Sequence, residues 1–179
     1  MRMPTGDNEL AEQAAAGDAE AFRVLLERHY DGIFRLTYRF VRTQADAEDI
    51  AQDICIGLAD RLGSFRGEAK FTTWLYRIVL NACRDWGRRQ ASGQRAMANF
   101  ADVEDLRRAA DADRSRQLDW IWATLGQFPE DIRETAVLVL AQQLSHGEVA
   151  AILGVKESTV SWRMHELRKT LKQRADEER

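Results

Sequence analysis

The chain has 179 residues, 45% hydrophobic and 31% charged, with a net charge of −3, a balance that suits a folded chain and excludes wholesale disorder. Its longest apolar run, Ala136 to Ala141, falls far short of the ~18 residues that a membrane-spanning helix needs. Two cysteines make no disulfide scaffold, and the opening MRMPTGDNEL has no apolar stretch of a secretory signal, so a cytoplasmic protein is expected.

The small net charge conceals a partition along the chain. Residues 1–60 carry six basic against twelve acidic side chains, and residues 61–95 carry eight against two. Residues 96–135 carry five against nine, and residues 136–179 seven against six. Exposed charges more than about 8–10 Å apart are largely screened at cellular salt, so the basic segment can bind phosphate within an acidic chain. Only Pro4 and Pro129 interrupt the chain, which favours helices throughout.

Phe22, Leu25, Leu26, Ile33, Leu36 and Phe40 recur at helical spacing and predict a long amphipathic helix over Ala21–Val41. A second helix is expected from about Ala45 to Leu62, with Ala47, Ile50, Ile54 and Leu58 inward. At about 100° per residue, Asp46, Asp49, Asp53 and Asp60 share the opposite sector. The loop GSFRGEAK leads into a third helix from Phe71 to about Gln90, and the three could close one small core. Residues 91–116 lose periodicity and suit a tether. Beyond it, Leu118, Ile121, Trp122 and Leu125 suggest a short helix, Phe128-Pro129 a break, and Ile132–Gln143 another helix. Ser145 and Glu148 have capping-box spacing and start a helix that ends at Gly154. After Val155 a last helix runs to about Ala175, with Val160, Met164, Leu167 and Leu171 inward. Two helices joined by a short turn containing Gly are the helix-turn-helix signature, the second being the recognition helix.

Three surfaces are candidates for function. Residues 155–174 carry six basic against two acidic side chains, and the outward sector of that helix holds Ser158, Ser161, Trp162, His165, Glu166, Lys169 and Lys172. Phosphate contact is expected there. Between Phe65 and Gln90, the aromatics Phe65, Phe71, Trp74, Tyr76 and Trp86 interleave with Arg66, Lys70, Arg77, Arg84, Arg88 and Arg89, the mixture that single-stranded nucleic acid asks for, although Phe71, Trp74 and Ile78 read equally well as the core stripe of an amphipathic helix. Asp85 also has Arg88 and Arg89 within local pairing distance. The acidic sector of the second helix is either a solvated face or a partner site. No catalytic residue, metal site or cofactor is expected, because the three histidines lack ligand spacing and no phosphate loop, nucleophile elbow or HExxH occurs. Cys55 and Cys83 read as small apolar residues of helix interiors.

Two readings of another kind stay open on these residues alone: a DNA-binding regulator using only its C-terminal helix-turn-helix, or an interaction module whose acidic helices bind a basic protein. The order of the segments, however, resembles the extracytoplasmic-function sigma factors of bacterial RNA polymerase, the group with only regions 2 and 4. The likeness rests on AEAFRVLLERHYDGIFRLTYRFV, DAEDIAQDICIGLADRLGSF, FRGEAKFTTWLYRIVLNACRDWGRR and LGQFPEDIRETAVLVLAQQLSHGEVAAILGVKESTVSWRMHELRKTL.

The resemblance implies two small helical domains, residues 1–92 and 117–179, on a flexible linker of residues 93–116. It implies docking on core polymerase through Asp49, Gln52 and Asp53. It further implies recognition of the −10 element by the loop residues Phe65, Arg66, Gly67, Glu68 and Lys70 and by Trp74, Arg77, Asn81, Arg84, Asp85, Arg88 and Arg89 of the third helix. Ser158, Thr159, Ser161, Trp162, Arg163, His165, Glu166 and Lys169 are implied to face the −35 element of promoter DNA. An anti-sigma factor is the expected regulatory partner. Glu166 departs from a basic residue common in relatives, and either accepts from a cytosine amino group or pairs with Lys169 or Lys172.

Overall fold

The structure, a computed structural model, describes residues 5–96 and 124–177, the backbone alone at 93–96 and 175–177. All regular elements among them are helical. The chain divides into two compact units, Met1–Ser92 with Ala151–Leu153, and Gly93–Ala150 with Gly154–Arg179.

The first unit is built from α1 (Asp7–Ala15), α2 (Ala19–Val41), α3 (Gln44–Leu62) and α4 (Phe71–Ala96). Asp18 caps α2 by accepting from the backbone N–H of Glu20 and Ala21, and Thr43 caps α3 by accepting from that of Asp46. Arg42, at φ 68°, takes the left-handed conformation that turns the chain between them. Leu25, Ile33 and Leu36 of α2 meet Ile54, Leu58 and Leu62 of α3 and Phe71, Leu75 and Val79 of α4 in one core, all fully buried. Burying a side chain of this size stabilises by about 1.5–3 kcal/mol.

Two features differ from the sequence expectation. α1 is a fourth helix of this core; it contributes only Leu10 and Ala11, too few to show as a periodic stripe. α4 continues past Gln90 to Ala96, because Ala91, Gln94, Arg95 and Ala96 are good helix formers although none extends the apolar stripe.

The second unit contains α5 (Glu130–Ala136), α6 (His146–Leu153) apart from its last three residues, and α7 (Glu157–Glu177). The helix expected over Ile132–Gln143 instead changes to π-helical winding at Val137–Ala141 and closes with Gln143 at φ 55°. This wider turn lets the Gln142 N–H reach the Val137 carbonyl at 3.2 Å and keeps Ala136, Val137 and Leu138 buried together. Leu125, Phe128, Ile132, Ala136, Met164 and Leu167 form the core, with Leu171 partly buried against it. Of the expected short helix at Leu118, Ile121, Trp122 and Leu125, only the end at 124–126 is described, and it is helical; the rest of it and nearly all of the expected tether lie outside the described residues.

The capping box forms as its spacing predicts: Ser145 Oγ accepts from the Glu148 N–H, and the Glu148 carboxylate accepts from the Ser145 N–H at 3.1 Å. Gly154, at φ 68°, ends α6 in the left-handed conformation that the turn requires. Ser145→Ala is expected to cost about 1 kcal/mol, read as a fall in the denaturant midpoint at unchanged m-value.

Candidate nucleic-acid interface

On α4, Trp74, Arg77, Asn81, Arg84, Asp85 and Arg88 fall within one sector opposite Leu75, Val79 and Cys83, which face the core. Arg77, Asn81, Asp85, Arg88 and Arg89 are exposed, whereas Trp74 and Arg84 are half-buried. Neighbours along the helix brace one another: Arg84 donates to Asn81 Oδ1 at 3.3 Å, and Arg88 donates to Asp85. Asp85 thus offsets part of the local positive charge and holds the Arg88 guanidinium in place.

The loop before α4 is open, with Arg66, Glu68 and Lys70 exposed and Phe65 and Gly67 half-buried. Its rings are shared with the core. Phe71 is 1% exposed and packs edge-on against Phe65 at 5.8 Å, while Trp74 lies 5.5 Å from Phe65 and 5.7 Å from Phe71. The rings divide between the core and the surface. Phe71 is a core residue, and Tyr76 turns toward α2, where burial pushes its phenol up against the opposing pull of Arg35 and Arg39. Trp74 alone of these three stands in the basic sector, one flank held by Phe65 and Phe71. A cleft of about 400 Å³ between α3 and α4 runs below, with Asp53 and Arg61 on one wall and Asn81, Asp85 and Arg89 on the other.

α3 is solvated on its acidic side and buried on the opposite, apolar side, as its spacing predicts. Asp49, Gln52, Asp53 and Asp60 are exposed, and Asp46 is half-buried beside its cap Thr43. Cys55 is half-buried, which pushes its thiol up and away from reactivity; Cys83 is buried.

In the second unit α7 presents Ser158, Ser161, Trp162, His165 and Lys169 as exposed residues, with Trp162 at 57%. Ser161 Oγ lies 2.9 Å from His146 Nδ1, tying α7 to the first residue of α6. Thr159 and Glu166 are half-buried, and no described residue forms an ion pair with Glu166. Arg163 departs from expectation. Its side chain is only 13% exposed; Nη2 pairs with Asp131 Oδ2 at 3.0 Å and Nη1 donates to Thr135 Oγ1 at 3.3 Å, so the guanidinium braces α7 against α5. A helical position at the edge of the core stripe put the residue within reach of a partner 32 positions earlier. Arg163→Ala is accordingly expected to lower stability by about 1–3 kcal/mol and to leave base preference on −35 duplex unchanged at a temperature where the variant is folded. Thermal melts and fluorescence anisotropy read the two effects separately.

Residues 25–93 match the Sigma-70 region 2 family. Over 92% of this chain and 91% of its own length, the RNA polymerase sigma-H factor of Pseudomonas aeruginosa is 31% identical. The ECF RNA polymerase sigma factor SigM of Mycobacterium tuberculosis is 36% identical over 90% of this chain and 81% of its own. This chain belongs to the extracytoplasmic-function sigma factors. It is an RNA polymerase sigma factor, acting in promoter-specific transcription initiation. The solved structure of CnrH in complex with the cytosolic domain of CnrY superimposes with a TM-score of 0.73 at 29% identity, covering 97% of this chain and 99% of that one. The sigma factor RpoE of Bartonella quintana, solved with the anti-sigma factor NepR, shares the fold at a TM-score of 0.70 and 20% identity, covering 90% and 100%.

Within this sigma factor the region 2 match begins inside α2, so α1 lies outside it. One surface residue escaped the sequence reading. Ile56 is 77% exposed, in the same sector of α3 as Asp49, Gln52, Asp53 and Asp60. An apolar side chain ringed by carboxylates is the composition of a protein-docking patch, apolar at its centre and polar at its rim. An isoleucine out of phase with the apolar stripe was the available signal. No helix among the described residues is long and apolar enough to cross a membrane.

Proposed function

We propose that the two units divide promoter recognition between them, residues 1–92 binding core polymerase and the opened −10 strand, residues 117–179 anchoring upstream duplex at the −35 element. The observation that carries this reading is the α4 sector, in which Trp74 stands among Arg77, Asn81, Arg84 and Arg88 beside an open loop. Bases stack on aromatic faces for about 1–3 kcal/mol each, while cations follow the backbone, so binding can hold open a strand whose unstacking costs a few kcal/mol. Phe65, Arg66, Gly67, Glu68 and Lys70 shape the place where an unpaired base sits, and Asp85 and Arg89 complete the basic edge.

Polymerase docks on Asp49, Gln52 and Asp53, with Ile56 as the apolar centre of the contact. Ser158, Thr159, Ser161, Trp162, His165, Glu166 and Lys169 meet the major groove, with Glu166, unpaired on its own helix, accepting from a cytosine amino group. The protein performs no chemistry of its own, needs no cofactor, and works in the cytoplasm. Held free of polymerase, it is bound by an anti-sigma factor, by analogy with the sigma factor RpoE of Bartonella quintana, solved with the anti-sigma factor NepR.

The test is capture of core polymerase followed by run-off transcription from a promoter library. Polymerase binding with a small set of shared-motif transcripts is expected. Sequence-specific DNA binding without polymerase would replace this reading with that of a stand-alone regulator.

A further inference from the structure

Loops that read a nucleic-acid base must hold their backbone still, because discrimination depends on placing donors and acceptors to within a fraction of an ångström. The loop 63–70 has little of its own to hold it. Ser64 and Phe65 close back on Arg61 and Leu62, and Gly67 sits at φ +69°. The segment between Gly67 and α4 is held from elsewhere in the chain.

That support comes from α1. Asn8 Nδ2 donates to the Ala69 carbonyl at 3.1 Å, and Asn8 Oδ1 accepts from the Phe71 N–H at 2.7 Å. One carboxamide thus secures the last loop carbonyl but one before α4 and caps the first N–H of α4, the role usually filled by the residue just before a helix. One turn further along α1, Glu12 reaches Gly67: a Cβ there would stand 3.2 Å from Glu12 Oε1. α1 is itself held firmly. Asp7 pairs with Arg28 at 3.0 Å and with His29 Nε2 at 3.0 Å, the His29 ring packs on Phe71 at 5.3 Å, and Leu10 and Ala11 are buried.

We infer that Asn8 is a positioning residue for −10 recognition: through its paired bonds to Ala69 and Phe71, α1 sets the conformation in which the loop discriminates bases. The inference rests on the reading that this loop meets the −10 strand. It adds a specificity determinant that touches no nucleic acid.

The experiment uses the full chain bound to core polymerase, with a fluorescein-labelled single-stranded −10 oligonucleotide selected by the wild-type holoenzyme from a random pool, and single-base mismatches of it. The quantity read is the ratio of matched to mismatched affinity. Asn8→Ala removes both bonds. Asn8→Asp keeps an acceptor for the Phe71 N–H, with a carboxylate at a helix N-terminus where it is favoured, and removes only the donor to Ala69. Its added charge weakens binding evenly across sequences and leaves the ratio untouched. Both variants are expected to lower the ratio about three- to tenfold, with Asn8→Asp melting above Asn8→Ala because it keeps the cap on Phe71, and both retaining −35 duplex affinity. A wild-type ratio in Asn8→Asp overturns the inference, as does an Asn8→Ala variant that loses −10 and −35 binding in parallel with its melting temperature. A wild-type holoenzyme that shows no base preference, with Arg66→Ala and Lys70→Ala equally without effect, overturns the reading of the loop itself.

Discussion

Phe71→Ala is expected to lower the stability of the first unit by about 3–5 kcal/mol, the cost of emptying a fully buried aromatic site. Phe71 is 1% exposed and touches Phe65, Trp74 and His29, so removing it unseats the loop, the start of α4 and the α1 brace together. Whole domains are stable by only about 5–15 kcal/mol, so the loss takes a large share. Chemical denaturation followed by circular dichroism reads it. Phe71→Leu, which refills much of the volume, should recover more than half. A variant within 1 kcal/mol of wild type would mean that the ring cluster is not the keystone of this unit.

Trp74→Ala carries the second large effect, on strand capture. Losing one stacked base should cost about 1–3 kcal/mol, or roughly 5- to 150-fold in open-complex formation, with −35 duplex affinity unchanged. Part of any loss comes from packing, since Trp74 also rests on Phe65 and Phe71. Asn81→Ala separates the two contributions. Asn81 is exposed and, among the described residues, accepts only from Arg84, so its removal should leave stability within about 0.5 kcal/mol and still impair open-complex formation. Equal loss in −10 and −35 assays for both variants would count against separate roles for the two units.

The helices that carry function were legible because each announces itself locally. The periodic stripes of α2, α3 and α4 and the cap residues Ser145 and Gly154 follow from spacing and backbone chemistry within a few residues. What escaped depends on distant partners or on breaks in period. α1 buries two side chains, so its stripe is invisible in sequence although its position is fixed by Asp7, Arg28 and His29. The run from Ala136 to Ala141 is apolar throughout, and no pattern within it distinguishes α from π winding. Arg163 is a −35 contact only by the family resemblance and lies outside the outward sector of its helix; Asp131, on another helix, claims it. The interleaving of aromatics with basic residues near Phe65 is plain in sequence, but which rings enter the core depends on packing between helices and has no local signal.

The place of α1 bears on how the family match is used. A fragment trimmed to residues 25–93 would retain every proposed polymerase and −10 side chain of the first unit, yet it would lack Leu10 and Ala11 from the core and Asp7 from the Arg28 and His29 pair. Such a fragment would expose hydrophobic surface along α2 and present an untethered recognition loop. Its weak or promiscuous strand affinity would then describe the missing eighteen-odd residues of helix and turn rather than the intact sigma factor.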